Sequence, residues 1–388
     1  MKTAVLDIGG SFIKYGQMDE ELAITERGKV RTPEADRDAP PEEGRAAFLD
    51  VLDGVWEKIG NGVDGLAISM PGVIDSASGY AISGGALTCL DQCHFVKEVE
   101  KRYGTSVWIG NDAKCAAVAE VGYGALKGAD TALAVILGTG IGGCLILNGE
   151  VYMGKHFSAG EASFIHTDCH QPYNQDAWWA QVNGRKGLLS LVQKHKETEE
   201  EFSGEEIFAM AEAGDETVQK ALDEFSRLIG VQLFNINCMV DVEKIAIGGG
   251  ISAQPLLIRK INEQFTELYS DFPYPLYQPP VVACRFLNDA NMIGSLLSVY
   301  QMEEMIKRAA APVSITCRCS GFLNFCGLFF PPAVVKPGYA SSGITRNFLT
   351  AKRTTQSRIS EISRMIHAFW INPAIQYPTK ETAATRRA

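Results

Sequence analysis

The sequence lacks long apolar runs and any excess of basic charge. Its longest apolar stretch, residues 322–335, is interrupted by Pro331 and Pro332, and it falls short of the ~20 residues that a membrane-spanning helix needs. The 46 acidic residues outnumber the 36 basic ones, which gives a formal net charge of −10. Because a nucleic-acid-binding surface needs a basic stripe, we expect neither a nucleic acid nor a membrane as a partner.

The sequence also lacks a compact cysteine framework and a signal peptide. Its 10 cysteines are scattered, and the N-terminus MKTAVLDIGG reads directly as a strand, so we expect reduced thiols and a cytoplasmic protein. Two groups of three candidate zinc ligands occur, namely Cys317, Cys319 and Cys326, and Cys169 with His166 and His170. Since each group lacks a fourth ligand at a suitable spacing, we expect no structural zinc.

Glycine, in contrast, is concentrated where apolar strands end. The predicted strand Lys2–Ile8 runs into Gly9-Gly10-Ser11 and a second strand, and the segment from Thr131 repeats this pattern around Gly138-Thr139-Gly140. Such an internal echo indicates a duplicated lobe. Glycine lets backbone amides approach a ligand, and amide-lined concavities bind anions. Two such hairpins at a shared cleft would hold a polyphosphate, with Asp7 positioned for Mg²⁺ through water.

A third glycine turn follows the predicted strand Lys244–Ile247. There Gly248-Gly249-Gly250 leads into a helix predicted to start near Gln254. The order strand, glycines, helix suits a nucleotide, because its phosphate or adenosine can pack against bare backbone at a helix N-terminus.

The central stretch of the chain is WIGNDAKCAAVAEVGYGA, from Trp108 to Ala125. A short strand ends at Gly110, and an alanine-rich helix follows the pair Asn111-Asp112. Both residue types are common helix N-caps, so capping is one interpretation. The other is that Asp112 is a general base held beside a substrate hydroxyl.

The last segment differs from the rest of the chain. Beyond about Arg308 the acidic residues nearly vanish, with Glu361 and Glu381 remaining, and no periodicity survives. We expect this tail to be poorly ordered, with a short accessory module as the alternative. The predicted domains are a first lobe over residues 1–115, a second lobe over 116–306, whose terminal helix (about 290–306) packs back on the first, and the tail over 307–388.

Four motifs in order over the first three hundred residues resemble the ROK sugar-kinase family. They are DIGGS, NDAKCAAVAE, GTGIGG and AIGGGIS, with Ser11 where the family usually has Thr. The resemblance implies an α/β, two-lobed actin-like ATPase/hexokinase (ribonuclease H-like) fold, with duplicated βββαβα lobes and a central cleft. It also implies ATP and Mg²⁺ as cofactors, a sugar as acceptor, and a homodimer.

The resemblance further assigns site residues. Asp112 would be the general base, Asn111 would bind a sugar hydroxyl, Glu161 would be the sugar-binding glutamate, and Asp7 would position Mg²⁺. The residues around the nucleotide would be Gly9, Gly10, Ser11, Lys14, Gly138, Thr139, Gly140, Gly248, Gly249 and Gly250.

Departures from the family pattern bear on the substrate. Ser163 and Phe164 stand where many members have a Gly-His pair, and the Cys-x-Cys-Gly-x-x-Gly-Cys zinc loop of those members is missing. Phe164, the segment GGALTCLDQ at Gly85 and the segment SGEEIFAMAEAGD near Glu205 most resemble the family's β-glucoside kinases, which phosphorylate the 6-hydroxyl of a terminal glucose. An aromatic wall at Phe164 would stack on an aglycone, which makes Gly85 and Phe164 candidate substrate contacts.

Alternatives remain open at this point. A glucokinase, or an N-acetylmannosamine or fructose kinase of the same family, would use the same motifs. The alternative that is not an enzyme is a sugar-sensing ROK regulator without its DNA-binding module. The acidic balance opposes a DNA-binding role, and the first phosphate hairpin begins at the start of this sequence, so no helix-turn-helix is expected ahead of it.

Overall fold

The computed structural model describes residues 2–33 and 41–310. The strands are β1 (Thr3–Ile8), β2 (Phe12–Met18), β3 (Ile24–Arg31), β4 (Gly65–Met70), β5 (Ile74–Asp75), β6 (Tyr80–Ala81), β7 (Ser106–Asn111), β8 (Ala132–Leu137), β9 (Ile141–Leu147), β10 (Glu150–Val151), β11 (Lys244–Gly248) and β12 (Val281–Ala283). The helices are α1 (Pro41–Ile59), α2 (Phe95–Tyr103), α3 (Asp112–Tyr123), α4 (Trp179–Asn183), α5 (Arg185–Lys196), α6 (Gly204–Glu212), α7 (Glu216–Val240), α8 (Pro255–Ser270) and α9 (Ala290–Ala310). The predictions for the tail from residue 311 onward lie outside the described residues.

Two five-stranded sheets repeat one topology. The first has the order β3-β2-β1-β4-β7 and the second β10-β9-β8-β11-β12. In each sheet the first three strands are antiparallel neighbours, and the last two add in parallel after helical crossovers. The predicted α/β actin-like ATPase/hexokinase fold is confirmed, and the echo between the two glycine hairpins reflects their equivalent positions in the two sheets.

Each sheet is covered by helices that bury an apolar stripe. In the first, Phe48 and Leu52 of α1 pack with Ile68 of β4 and Phe95 of α2. In the second, a larger core joins β8 and β11 to the helices from α4 to α8, with Trp179, Phe225 and Phe265 among its fully buried side chains. Burial of such stripes is the main stabilising contribution to folds of this kind.

The last helix, α9, returns to the first sheet. Its Met292 and Leu296 form one buried cluster with Val5 of β1, Ala67 of β4 and Val118 of α3. The backbones of α3 and α9 are very close where they cross. The helix is longer than predicted, and both α3 and α9 run through the expected domain limits at 115/116 and 306/307, so those limits stay a prediction.

Several local expectations differ from the structure. The sequence predicts a strand over residues 281–286, whereas β12 ends at Ala283. Beyond it the amide of Phe286 donates to the buried carboxylate of Glu120 (2.9 Å) and not to a neighbouring strand. Strand β3 was missed, since most of its residues are exposed and carry no apolar alternation. Across residues 2–33 and 41–310, no helix is long and apolar enough to cross a membrane.

Candidate active site

The structure at the junction of β7 and α3 shows which of Asn111 and Asp112 caps the helix. The amide oxygen of Asn111 accepts from the Lys114 backbone N–H (3.1 Å), and its Nδ2 donates to the carbonyl of Gly72 (2.9 Å). Asn111 is therefore the N-cap of α3. Because this cap is already supplied, the Asp112 carboxylate is not needed for it. Its Oδ1 accepts only the local N–H of Ala113 at 2.8 Å among the bonds of the described residues.

The surroundings of Asp112 raise the pKa of its carboxyl above the ordinary value. Burial raises the pKa of this carboxyl to about 6, against the hydrogen bond from the Ala113 amide. The negative charges of Asp7 and Glu161 raise the pKa further, and the positive charge of Lys114 lowers it. A carboxylate with a pKa just below neutrality is ionised at pH 7 and yet basic enough to accept a proton.

Glu161 is brought to α3 by close packing of its loop on β9. A Cβ added at Gly143 would lie 2.4 Å from the carbonyl oxygen of Gly160, so only glycine allows this approach. The hydroxyl of Ser163 donates to the carbonyl of Ile141 (2.6 Å), which fixes the other side of the loop. Glu161 Oε1 then accepts from the ammonium of Lys114 at 2.9 Å.

Asp7 lies near the end of β1 and is buried, with 6% of its surface exposed. Its Oδ2 accepts from Lys14 Nζ of β2 (3.2 Å), and its Oδ1 accepts from Asn291 Nδ2 of α9 (2.8 Å). The expected return of the terminal helix to the first lobe is seen here, but Asn291 was not singled out from the sequence, because no local pattern indicates which residue of that helix meets β1.

The third glycine turn borders the same region. A cavity of about 170 Å³ is lined by Lys14 of β2, by Gly248–Gly250 and by Asn291 of α9. At Gly249, φ is +93° and a Cβ would lie 1.9 Å from the carbonyl oxygen of Leu137, so the turn itself requires glycine. At Gly250 an added Cβ would meet no atom within 4 Å, which leaves room for a ligand against the backbone.

The first two glycine hairpins are tight turns that leave their hydroxyl residues exposed. Gly9 N–H donates to the carbonyl of Phe12 (3.0 Å), and Gly138 N–H donates to the carbonyl of Gly140 (2.9 Å). Ser11 and Thr139 are both exposed at these turns. Neither Gly10 nor Gly138 would meet a protein atom closer than 3.6 Å if it carried a Cβ, so both turns present open backbone.

The two candidate substrate contacts, Gly85 and Phe164, lie in different loops. Gly85, at φ +61°, packs on Gly72, where a Cβ would lie 3.1 Å from the Gly72 nitrogen. Gly72 is the residue whose carbonyl accepts from Asn111. Phe164 has 58% of its surface exposed, and its ring meets Trp178 edge to face, with centroids 5.3 Å apart. Trp178 was missed by the sequence analysis, because no local pattern indicates that the loop between the two residues folds back and brings their rings together.

Metal ligands are sparse in the described part of the chain. Residues 2–33 and 41–310 contain no group of three or more His, Cys, Asp or Glu side chains arranged to hold a metal ion. Cys169 is an exposed free thiol, and Cys317, Cys319 and Cys326 lie outside the described residues. The carboxylate proposed for Mg²⁺ is that of Asp7, and this ion usually takes one or two carboxylates plus substrate phosphates.

Comparison with known proteins agrees with this geometry. The family model described as ROK family matches residues 3–301. The β-glucoside kinase of Klebsiella pneumoniae is 31% identical over 308 residues, which cover 78% of this chain and 97% of that protein. The β-glucoside kinase of Listeria monocytogenes is 28% identical over 309 residues, 78% of this chain and 99% of that protein.

Solved structures share the fold. A ROK family protein from Streptococcus pneumoniae in complex with sucrose has a TM-score of 0.67 at 26% identity, over 79% of this chain and 100% of that one. A ROK family glucokinase from Streptomyces griseus with glucose and AMPPNP has a TM-score of 0.68 at 22% identity, over 78% of this chain and 100% of that one. The chain therefore belongs to the ROK family and is a sugar kinase of that family.

Proposed function

We propose that this sugar kinase transfers the γ-phosphate of ATP to the 6-hydroxyl of the terminal glucose of a β-glucoside, with Asp112 as the general base. The observation that carries the proposal is the Asp112 carboxylate itself. It is free of the capping role that Asn111 fills, it is partly buried, and its pKa is raised to about 6 among the charges of Asp7, Glu161 and Lys114.

In the proposed reaction Asp112 accepts the proton of the attacking hydroxyl as the oxygen attacks the γ-phosphorus. Its Oδ2 makes no hydrogen bond within the described residues, so one carboxylate oxygen is available to the substrate. General-base catalysis of this kind typically contributes ~10²–10⁴-fold in rate. The rest of phosphoryl transfer depends on alignment of donor and acceptor and on neutralisation of phosphate charge.

The proposed sugar contacts are Glu161, Asn111, Gly85 and Phe164. Glu161 has 24% of its side chain exposed and its Oε2 without a hydrogen bond among the described residues, so that oxygen can accept from a sugar hydroxyl. Asn111 already uses its Oδ1 and one Nδ2 hydrogen in the fold. It retains one N–H, which makes it a secondary contact.

The donor would lie along the glycine turns, with its phosphates between the hairpins at Ser11 and Thr139 and its nucleoside toward Gly248–Gly250. Lys14 lies between the proposed phosphate and nucleoside positions, since it lines the cavity at the third glycine turn and also donates a hydrogen bond to Asp7. Mg²⁺ held through water by Asp7 would supply neutralisation of phosphate charge. Closure of the lobes over both substrates would exclude water and limit hydrolysis of ATP.

The preference for a β-glucoside is supported by the aromatic pair Phe164 and Trp178. Phe164 follows the Glu161 turn directly and is largely exposed, so it is available to stack on a second sugar ring or an aryl aglycone. Among the relatives, those matched over most of their length include three β-glucoside kinases at 28–31% identity. N-acetyl-D-glucosamine kinases also occur among them, at 27–29% identity, which keeps a monosaccharide acceptor in the test.

The deciding experiment is an assay of ADP release over a panel of sugars with ATP and Mg²⁺. Cellobiose and salicin should be turned over with a higher kcat/KM than glucose, mannose, fructose, N-acetylmannosamine or N-acetylglucosamine. A kcat/KM for a monosaccharide equal to or above that for cellobiose would reject the β-glucoside assignment. Absence of ADP release with every sugar would reject the proposed reaction.

Phe164→Ala tests the aromatic subsite. We expect kcat/KM for cellobiose to fall roughly tenfold, the value of a lost aromatic stacking contact of about 1.4 kcal/mol, while kcat/KM for glucose changes less than about twofold. Tyr173→Ala is the matched control, since Tyr173 lies in the same loop region with 96% of its surface exposed. An equal loss for both sugars in Phe164→Ala would mean that Phe164 does not contact the aglycone.

The pH dependence of the reaction follows from the pKa of Asp112. A base must be deprotonated to act, so kcat/KM for the sugar should fall as the pH drops through about 6. Asp7 and Glu161 face the same group with negative charge, and Lys114 faces it with positive charge. The measurement is kcat/KM for cellobiose between pH 5 and pH 9, because kcat/KM reports the ionisation of the free enzyme. An acid limb near pH 4, the ordinary carboxyl range, would contradict a buried base at this position.

A further inference from the structure

Lys114 is a buried cation beside the candidate base. It lies in the first turn of α3 with 3% of its side chain exposed. Among the described residues its ammonium has one hydrogen-bond partner, Glu161 Oε1 at 2.9 Å. Its positive charge also acts on Asp112 and on the buried thiol of Cys144, so the ammonium is close to the site and directed away from solvent.

A lysine in this position needs a physical reason. Removing an ammonium from water is costly unless an opposite charge and hydrogen bonds compensate. An alanine or leucine would continue the apolar, alanine-rich face of α3 without that cost. Among the described residues Glu161 is the one carboxylate bonded to this ammonium, with the charge of Asp112 also acting on it. Glu161 sits in a loop whose neighbouring residues are held by packing, not by bonds to its carboxylate.

We propose that Lys114 is a positioning residue of the sugar site, which holds Glu161 Oε1 so that Oε2 is presented to a hydroxyl of the acceptor. The inference rests on the proposed role of Glu161 in sugar binding. A glutamate side chain has three rotatable bonds, and its 24% exposure would let an unheld carboxylate turn into the solvent. The ammonium bond removes this freedom before the sugar arrives, and preorganisation of this kind improves affinity.

In this arrangement the two oxygens of the Glu161 carboxylate have different roles. Oε1 is engaged inside the protein by a charge-assisted bond. Oε2 makes no bond within residues 2–33 and 41–310. A sugar hydroxyl that donates to Oε2 therefore meets an acceptor that is already oriented by the ammonium of Lys114.

Three variants test the proposal: Lys114→Met, Glu161→Gln and the double variant. If Lys114 acts through Glu161, each single variant should raise the sugar KM roughly 10- to 100-fold, as expected when one partner of a desolvated charge pair is removed. The ATP KM should change less than about twofold. The double variant should match Glu161→Gln in sugar KM instead of multiplying the two effects.

Lys260 offers a matched control for folding. It is a second buried lysine paired with one carboxylate, Asp223, at 2.5 Å, on α8 and α7 away from the site. Lys260→Met should lower the melting temperature by an amount comparable to Lys114→Met while leaving the sugar KM unchanged. Lys114→Arg keeps the charge and should recover part of the sugar affinity that Lys114→Met loses.

The outcomes separate this inference from the function on which it rests. A raised sugar KM in Glu161→Gln with an unchanged one in Lys114→Met would overturn the positioning role alone. Multiplied effects in the double variant, or equal rises in sugar KM and ATP KM for Lys114→Met, would also overturn it. An unchanged sugar KM in Glu161→Gln would overturn the sugar role of Glu161, and the positioning role with it.

Discussion

Replacement of Asp112 by asparagine should lower kcat by about 10²- to 10⁴-fold, the usual contribution of a positioned general base. The asparagine amide cannot accept the hydroxyl proton, whereas its oxygen can keep the hydrogen bond that the Ala113 N–H donates at 2.8 Å. The sugar KM and the ATP KM should change little, because the side chain keeps its shape. The measurement is steady-state kcat and KM for cellobiose and ATP at pH 8.

Thermal unfolding supplies the control for this variant. Burial and two neighbouring carboxylates raise the pKa of Asp112 in the folded protein to about 6 from an ordinary 3.8. Above pH 6 the folded chain therefore carries a charge that its surroundings disfavour, and this charge lowers stability. The Asp112→Asn variant has no such charge, so its melting temperature at pH 8 should rise or stay level. The difference should disappear below about pH 4, where the proton is bound in both the folded and the unfolded chain.

Two results would contradict the assignment. An unchanged kcat would reduce Asp112 to the first residue of a helix whose cap is Asn111. A large loss of kcat accompanied by a large fall in melting temperature would indicate that the aspartate is needed for the fold, and the base would then have to be sought elsewhere. A large loss of kcat with an intact fold is the combination that a catalytic role produces.

Local patterns in the sequence predicted those strands and helices whose ends are marked by nearby glycine turns or capping residues. The glycine hairpins, the strand before Asn111 and the turn at Gly248–Gly250 are all defined by neighbours within a few residues. For this reason the order of elements and the sheet duplication were predictable. The residue types of Asn111 and Asp112 did not show which of the two caps the helix. The structure shows that Asn111 does, because its side chain is hydrogen-bonded to the Gly72 carbonyl and to the Lys114 amide.

What could not be predicted depends on contacts between distant parts of the chain. Asn291 meets Asp7 across 284 positions in sequence, and Lys114 meets Glu161 across 47. No local period signals either pair. Lys114 in particular is one polar residue in an alanine-rich helix, and it lies in a run of buried residues from Ala113 to Glu120.

The edge strand β3 was missed because its sequence lacks the apolar alternation of a buried strand. An edge strand of a sheet keeps one row of backbone groups unpaired and is often charged, so its side chains need no apolar alternation. In β3 the charged side chains Arg27, Lys29 and Arg31 are all exposed. The apolar runs that predicted β1 and β8 are absent from β3, so the same criterion could not predict this strand.

The crossing of α3 and α9 carries the second large prediction. At Gly294 an added Cβ would lie 1.7 Å from the carbonyl oxygen of Cys115 and 2.4 Å from its carbonyl carbon. Both are backbone atoms of α3, so no side chain can move aside, and the helices would have to separate. Gly294→Ala should therefore destabilise the protein by about 3 kcal/mol or more, at the upper end of overpacking costs, which corresponds to a fall of roughly 6 °C or more in melting temperature.

Gly122→Ala is the matched control, because it adds the same methyl group at the same helix pair. There the new Cβ would lie 3.4 Å from Leu297 Cδ1, the end of a flexible side chain, and alanine favours the helix over glycine by about 1 kcal/mol. Its melting temperature, measured by circular dichroism, should stay level or rise. Similar melting temperatures for the two variants would contradict the backbone contact. Since Cys115 follows Asp112 within one turn of α3, a separation of α9 from α3 would also displace the base, so the Gly294 variant should lose kcat at temperatures where it is still folded.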